Sequence, residues 1–326
     1  MTSDNGSANV AAVALEKSII YVQKGGRQIR DYYFDVNAES YVSPDVSRTG
    51  EHMTQSGIIQ LAPTKTPQPA VWMVRNDGVL VCMTYNKEDR ILGWHRHILG
   101  GTDVKVESVC VIQDPTGTFD EVWMIVSRTI NGATKRYVEY MTKLWETNDL
   151  LKDAFYVDCG LSYSGTPLAT VAGLDHLALE HVDILADGAR HPPLQVDITG
   201  SITLAIEAST IHVGLPMTSV VKLLPLDAGA ADGTALGKTK RIDHGTFWFM
   251  DTVGGQYGAS LNSLNIFEVR SDQDPMDVAP ALFNGPLNIE WDGDYDRDAS
   301  MFVVQDAPFP MTLLAVGPRL VTQDAG

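Results

Sequence analysis

The chain of 326 residues carries 24 Lys and Arg against 41 Asp and Glu, a formal net charge of −17. This acidity argues against a tight nucleic-acid binder, which needs a surface that neutralises phosphates, and no apolar run reaches the roughly 18 residues of a membrane-spanning helix. A hydrophobic content of 44%, with 28 Gly and 16 Pro spread along the chain, is typical of a turn-rich globular protein.

The amino terminus has no secretory signal pattern, because it contains Asp4 and no basic residue precedes Lys17. We therefore interpret residues 1–17 as a flexible arm. After it, short apolar runs broken by Gly-containing turns predict β-hairpins. The runs at 18–34, 71–85 and 122–140 each have this form.

Two of these hairpins look like copies of one unit. Residues 71–74 read VWMV, residues 122–125 read VWMI 51 positions later, and a second Trp follows each first Trp after 22 residues. An antiparallel repeat of this length has the size of a propeller blade, although two unrelated hairpins sharing a Trp would read the same. Two or three blades cannot close a propeller, which needs about four to eight. Either the chain is the end of a longer propeller protein, or neighbouring subunits cover its open edges.

Helix is scarce in the remaining pattern. Two segments, 45–55 and 141–153, are predicted as short helices, the first with Asp45 or Ser47 as N-cap. From residue 161 onward, shorter strands separated by Asp-Gly and Thr-Gly turns indicate a sandwich or a small barrel. The strands expected there and in a third block are 182–186, 194–198, 201–206, 210–215, 242–250, 264–269, 300–305 and 311–316.

These patterns predict a mainly β protein, in which propeller-like hairpin blades are followed by β-sandwich-like or barrel-like domains. We place domain boundaries near residues 160 and 230. The expected parts are a propeller-like repeat domain at 18–160, a sandwich-like domain at 161–230 and a C-terminal β domain at 231–326.

The acidity is concentrated in the second half of the chain. Residues 161–326 hold 21 acidic and 8 basic side chains, and the segment 268–298 alone holds nine acids against Arg270 and Arg297. Such a cluster forms a solvated loop face, a surface that repels anions, or a surface that binds cations.

Three short motifs resemble ligand sites and fail on inspection. Residues 237–239 (GKT) end like a phosphate-binding loop, but Asp232 stands where that loop needs Gly. We therefore expect Lys238, Lys240 and Arg241 to form an exposed basic patch that enters a strand. Asp292, Asp294 and Asp296 have calcium-loop spacing, but Arg297 occupies the position of the required Gly. Residues 160–165 (GLSYSG) are not a nucleophile elbow, because the second Gly comes one place late.

The segment Trp94-His95-Arg96-His97 places two His on one face of a strand, which is half of a zinc site, and we interpret it as an aromatic and imidazole patch. Paired carboxylates such as Asp120-Glu121 lie beside strands, as in many β proteins. The residues therefore predict no catalytic, cofactor or metal site.

The three cysteines, Cys82, Cys110 and Cys159, are too few and too widely spaced for a disulfide framework or a metal motif. Cys82 and Cys110 lie in apolar strand-like runs, so we expect both to be buried thiols, formed in a reducing compartment.

Several longer phrases resemble one protein family. They are SIIYVQKGGRQIRDYYFD (18–35), VWMVRNDGVLVCMTYNKEDRILGWHRH (71–97), EVWMIVSRTINGATKRYVEYM (121–141), GLSYSGTP (160–167), HVGLP (212–216), SDQDPMD (271–277), WDGDYDRD (291–298) and PFPMTLLAVGPRL (308–320). Over nearly its whole length the chain resembles the C-terminal half of the tail nozzle proteins of short-tailed bacteriophages, also called tail tubular protein B or stabilisation proteins. Members of that family are about twice as long.

The resemblance implies a virion structural protein rather than an enzyme. It implies a homo-oligomeric ring, usually a hexamer, that lies below the portal and adaptor and contacts other tail proteins such as fibres. The protein would be made in the host cytoplasm and act in the phage tail as a conduit for genome ejection. Double-stranded DNA would be passing cargo, and no small-molecule substrate is expected.

Under this interpretation the acidic segment gains a role, because a lumen lined with carboxylates repels phosphates and lets DNA slide. We expect some of Asp272, Asp274, Asp277 and the acids of 292–298 to face a channel. The alternative is a glycan-binding or glycan-cleaving phage protein, since Trp-rich β repeats also suit carbohydrates. Exposed Trp72, Trp94 or Trp123 beside paired carboxylates would favour that alternative.

Overall fold

A computed structural model describes residues 5–227, 234, 237–268, 278–291 and 293–323. The mainly β prediction is confirmed, since short antiparallel sheets make up nearly all of the regular structure. The chain divides into two compact units, Met1–Leu144 and Trp145–Gly326. The strands of the first unit are β1 (Val13–Leu15), β2 (Ser18–Val22), β3 (Ile29–Asp35), β4 (Ser40–Val42), β5 (Ile58–Thr64), β6 (Ala70–Arg75), β7 (Leu80–Asn86), β8 (Ile91–His97), β9 (Thr102–Gln113), β10 (Asp120–Ile130) and β11 (Ala133–Tyr140).

From residue 5 onward, the first unit forms three up-and-down sheets that follow one another along the chain. Sheet 1 has the order β1-β2-β3-β4, sheet 2 the order β5-β6-β7-β8, and sheet 3 the order β9-β10-β11. The three predicted hairpins are therefore confirmed as β2–β3, β6–β7 and β10–β11. At the last turn Asn131 and Gly132 have φ of 47° and 71°, the paired positive values that a tight hairpin turn requires.

The sheets of the first unit stack face to face. We call the face toward the next sheet in the sequence the front and the opposite face the back. The front of sheet 1 packs on the back of sheet 2 through Leu15, Ile20, Val22, Ile29, Ile58, Leu61, Val71, Met73 and Met83. The front of sheet 2 packs on the back of sheet 3 through Ala62, Val74, Leu80, Val106, Val109, Val122, Met124 and Val126. Sheet 2 is thus apolar on both faces. Sheet 1 covers one of these faces, and sheet 3 covers the other.

The described residues of the second unit form three further antiparallel sheets, with orders β12-β15-β13-β14, β16-β21-β18-β19 and β20-β17-β22. One of its cores is aromatic and is centred on the fully buried Phe247. The strands are β12 (Asp158–Val171), β13 (His181–Ala186), β14 (Ala189–Gln195), β15 (Ile202–Leu215), β16 (Ser219–Lys222), β17 (Thr239–Thr252), β18 (Gln256–Ser260), β19 (Ser263–Ile266), β20 (Phe283–Glu290), β21 (Phe302–Gln305) and β22 (Thr312–Gln323).

The predicted helices are largely wrong. Within 45–55 the structure has only the single turn α1 (Glu51–Thr54), and within 141–153 only a 3-10 turn at Leu151–Asp153. The Asp45 carboxylate accepts the Ser47 backbone N–H at 2.9 Å and the Ser47 hydroxyl at 2.6 Å. This local turn satisfies the two side chains that were expected to cap a helix.

Strand boundaries also differ from the pattern. The runs 201–206 and 210–215 form one continuous strand, β15. The residues between them form a bulge in the pairing with β12 and not a turn. Residues 13–15 of the predicted arm pair with β2 as strand β1, and Leu15 is buried there. The strand β12 crosses residue 160, and the division of the chain into two compact units falls between residues 144 and 145.

Candidate assembly surfaces

The front of sheet 3 is an apolar surface exposed to solvent. Cα pairing places Trp123 opposite Tyr140 on one side and Cys110 on the other, so the three side chains share a face. Ile125 pairs with Val138 in the next row, and Val138 is 70% exposed. The Trp123 and Tyr140 rings stack with centroids 4.9 Å apart. We call this face the sheet 3 front; its large apolar members are Ile112, Trp123, Ile125, Val138 and Tyr140.

The back of sheet 1 is a second exposed surface and is rich in aromatic rings. Tyr32 stacks on Tyr41 with centroids 5.2 Å apart, and Phe34 meets Tyr41 edge to face at 5.3 Å. Ile19 lies opposite Tyr32 on this face, and Ile19, Phe34 and Tyr41 are each about half exposed. We call this face the sheet 1 back; its members are Ile19, Tyr21, Arg30, Tyr32, Phe34 and Tyr41.

Charged groups lie at the margins of these faces. On the sheet 3 front, Arg136 Nε donates to both Glu107 carboxylate oxygens, at 3.0 and 2.9 Å. This hydrogen bond holds the pKa of Glu107 below its ordinary value. Glu121 accepts the Trp123 indole N–H at 2.9 Å. On the sheet 1 back, the Arg30 guanidinium donates to the Gln23 side-chain oxygen and the Ser43 carbonyl.

The Trp residues of the sequence repeat lie at equivalent positions of successive sheets. Trp72 lies on the front of sheet 2 and packs into its junction with sheet 3. Trp123, at the equivalent position of the repeat, lies on the front of sheet 3. The sequence showed the repeat, but only the sheet order shows that the second Trp belongs to an outermost face.

The predicted aromatic and imidazole patch belongs to the same series. His95 and His97 share the front of sheet 2 with Trp72, and the His97 ring centroid lies 4.9 Å from that of the indole. A cavity of about 60 Å³ adjoins His97. Among the described residues, no group of three or more His, Cys, Asp or Glu is arranged to hold a metal ion.

Burial makes His97 a pH-sensitive point of the first unit. Burial, reinforced by His95, lowers the pKa of His97 from 6.5 to about 4. Between those values the unfolded chain takes up a proton that the folded chain does not, so we expect stability to fall as the pH drops from 6.5 toward 4, by roughly 2 kcal/mol. The variant His97→Phe, which keeps an aromatic ring on Trp72, should lose this slope. Urea unfolding at pH 7.5 and 4.5 measures it, and equal slopes in both proteins would refute the assignment.

A groove of about 640 Å³ lies between β5 and β9. The Gln60 carboxamide spans part of it, donating to the Val109 carbonyl at 2.8 Å and accepting the Val109 N–H at 3.1 Å. The Asp120 carboxylate beside it accepts the backbone N–H groups of Lys65 and Thr66. Its polar groups are thus used to join sheets 2 and 3.

The structure separates the carboxylates that the glycan hypothesis needs. Asp120 and Glu121 are adjacent strand residues, whose side chains point to opposite faces. Asp120 bonds to the backbone of Lys65, whereas Glu121 bonds to Trp123. The pair does not converge on one groove.

Ser162, in the rejected elbow motif, bonds to a buried histidine. Its hydroxyl lies 2.6 Å from His212 Nδ1, and His212 Nε2 lies 2.9 Å from the Lys152 carbonyl. A carbonyl only accepts, so Nε2 carries the proton and Nδ1 accepts the Ser162 hydroxyl. The contact joins β12 to β15 across a directly paired position.

Two expectations about single residues are wrong. Cys82 is buried, but Cys110 is exposed, because its alternating strand position points to the sheet 3 front. Lys240 was expected in an exposed basic patch with Lys238 and Arg241, but it is buried, and its ammonium donates to the Leu226 carbonyl at 2.6 Å.

The acidic segment is described only in part. Asp294, Asp296 and Asp298 are exposed. The remaining acids that were expected to face a channel, Asp272, Asp274, Asp277 and Asp292, lie outside the described residues.

Comparisons with protein-family models and with curated proteins found no match. In the described part of the chain, no helix is long and apolar enough to cross a membrane.

Proposed function

We propose that this protein is a structural subunit of a bacteriophage tail, in a ring that serves as a conduit for the ejected genome. The observation that carries the proposal is the three-sheet stack of the first unit, which leaves one apolar face uncovered at each end. Large exposed apolar faces mark association surfaces. Together with the resemblance to tail nozzle proteins, they support a homo-oligomer, proposed here as a hexamer, whose partners in the virion are the adaptor and other tail proteins.

The charge distribution supports passage of DNA without retention. Thirteen of the seventeen excess negative charges belong to residues 161–326. A basic wall would release counterions from DNA and become adhesive, whereas exposed carboxylates repel the phosphates. The protein acts in this proposal without catalysis, and it is made in the host cytoplasm before it enters the virion.

Native mass spectrometry tests the assembly. We expect a dominant species of six times the 35.5 kDa chain mass. A spectrum with no species larger than a pair at micromolar concentration would contradict the proposal.

A gel-shift experiment tests the role of the charge. At about 50 mM salt we expect no retention of linear duplex DNA by the wild-type protein. Replacing Asp294, Asp296 and Asp298 by Lys should produce retention that weakens steeply with salt. A wild-type protein that retains DNA at low salt would refute the repulsion mechanism.

The second candidate function is glycan binding by a phage β-repeat protein. The observation that favours it is the stacked Trp123–Tyr140 pair with Glu121 beside it on an exposed face, since sugars bind on aromatic platforms. A glycan array separates the two functions: binding that Trp123→Ala abolishes would favour the second.

A further inference from the structure

We propose that the sheet 3 front of one copy packs on the sheet 1 back of a second copy, so that two chains close one six-sheet propeller. The place of this pair in a larger ring rests on the proposed function. The geometry of the contact rests on how the sheets pack within one chain. The second copy is the occupant of both uncovered faces.

The packing of the sheets within one chain shows how a contact between two chains would be arranged. Both internal junctions join the front of one sheet to the back of the next. At the inner edge, β1 contacts β5 and β5 contacts β9, so the first strand of each sheet lies nearest its neighbour, as in a propeller. To continue this pattern, the sheet 3 front needs the back of another sheet. In the described part of the chain, the sheet 1 back is exposed and has the required orientation.

The repeat shows that the sheet 3 front is built to be covered. Trp72 on the front of sheet 2 is partly buried against sheet 3. Trp123 repeats it one sheet later, yet its neighbours Val138 and Tyr140 are 70% and 50% exposed. The same strand pattern thus serves a covered face in sheet 2 and an uncovered face in sheet 3.

The exposed area is sufficient for a stable pair. The sheet 3 front carries four large apolar side chains that are 40–70% exposed, and the sheet 1 back carries three that are about half exposed. At roughly 200 Å² for a large side chain, that leaves about 400 Å² on the first face and about 300 Å² on the second. A closed pair has two junctions and two copies of each face, or about 1,400 Å², which lies in the range of standard specific interfaces.

The number of sheets limits the number of chains. With three stacked sheets in the first unit of each chain, two chains give six such sheets, within the four to eight of typical propellers, whereas three chains would give nine. A pair is compatible with the hexamer proposed above, because three pairs contain six chains.

Two charge substitutions test the contact, one on each face. Val138→Asp on the sheet 3 front and Phe34→Asp on the sheet 1 back both replace exposed side chains, so each chain should fold. We expect light scattering after gel filtration to give single chains of 35.5 kDa for either variant, with at least a 100-fold weaker self-association than wild type. The matched control Ile206→Asp, at a 73% exposed position of the second unit, should behave as wild type.

Mixing the two variants distinguishes this contact from a symmetric one. Each variant keeps the face that the other lacks, so the mixture should associate measurably more tightly than either variant alone, through one intact front-to-back junction. A front-to-front or back-to-back contact would give no such rescue.

Cys110 reports on the same face directly. In a Cys159→Ser background it is the exposed thiol of the described residues, because burial raises the pKa of Cys82 to about 12 and shields it. We expect maleimide to label Cys110 slowly in wild-type pairs and at least 10-fold faster in Val138→Asp.

The outcomes separate this inference from the proposed function. If the protein assembles, but Val138→Asp leaves both the assembly and the Cys110 rate unchanged, the face assignment is wrong and the proposed ring stands. If pairs form and respond to the variants, but no larger ring exists, the face assignment stands and the conduit falls. Wild-type protein that stays a single chain overturns the inference.

Discussion

Replacing Glu139 by Ala should lower the free energy of unfolding of the first unit by about 3–5 kcal/mol, because it leaves a buried charge unpaired. The Arg128 side chain is fully buried, and its Nη2 donates to Glu139 Oε2 at 3.0 Å while Nη1 bonds to Oε1. The Arg128 Nε donates to the Gly100 carbonyl at 2.8 Å. Without Glu139, the guanidinium keeps only part of its partners in a site closed to water.

Hydrogen exchange of the β10 and β11 peptides in urea measures this loss in the first unit alone. The control is the double variant Arg128→Met with Glu139→Leu, which removes both charges and should be much closer to wild type than Glu139→Ala is. A Glu139→Ala variant within about 1 kcal/mol of wild type would show that water reaches Arg128.

The substitution Phe247→Ala should destabilise the second unit by about 3–5 kcal/mol, through lost burial and the cavity that remains. Phe247 is fully buried at the centre of the aromatic core. Its ring lies 5.2 Å from that of Phe267, 6.1 Å from Tyr257 and 6.3 Å from Trp291. These rings come from different segments of the chain, and the flexible Met301 side chain is buried in the same core. We expect Met301 and the rings to fill the gap only in part, because the structure around such a cavity relaxes incompletely.

Exchange of the β17 and β20 peptides measures this effect. Leu224→Ala is the control, since Leu224 is 83% exposed and its truncation should change stability by less than about 0.5 kcal/mol. A similar small change for Phe247→Ala would mean that the core collapses around the gap and is not rigidly packed.

The hairpins were predictable because their signals are local. Asn131-Gly132 fixes a turn, and the alternation on either side fixes which residues face inward. The helix predicted at 45–55 failed for an equally local reason, since the Asp45 side chain bonds to Ser47 and satisfies a turn instead. Helix propensity has little influence where a local side-chain to backbone hydrogen bond stabilises a turn instead.

The candidate surfaces were only half predictable. The repeat indicated blades with open edges, but no pattern in one chain shows which face of a strand lacks a cover. Cys110 illustrates the limit, because its apolar run reads as buried while the position faces outward beyond the last sheet. Lys240 shows the reverse, because this charged residue is buried and its ammonium donates to the carbonyl of Leu226, which is distant in the sequence.

Cryo-electron microscopy of the purified protein tests the central claim most directly. We expect closed rings with an open lumen wide enough for duplex DNA, with Asp294, Asp296 and Asp298 facing that lumen. Single chains, or rings that place all three carboxylates on the outer surface around a basic lumen, would contradict the proposed conduit.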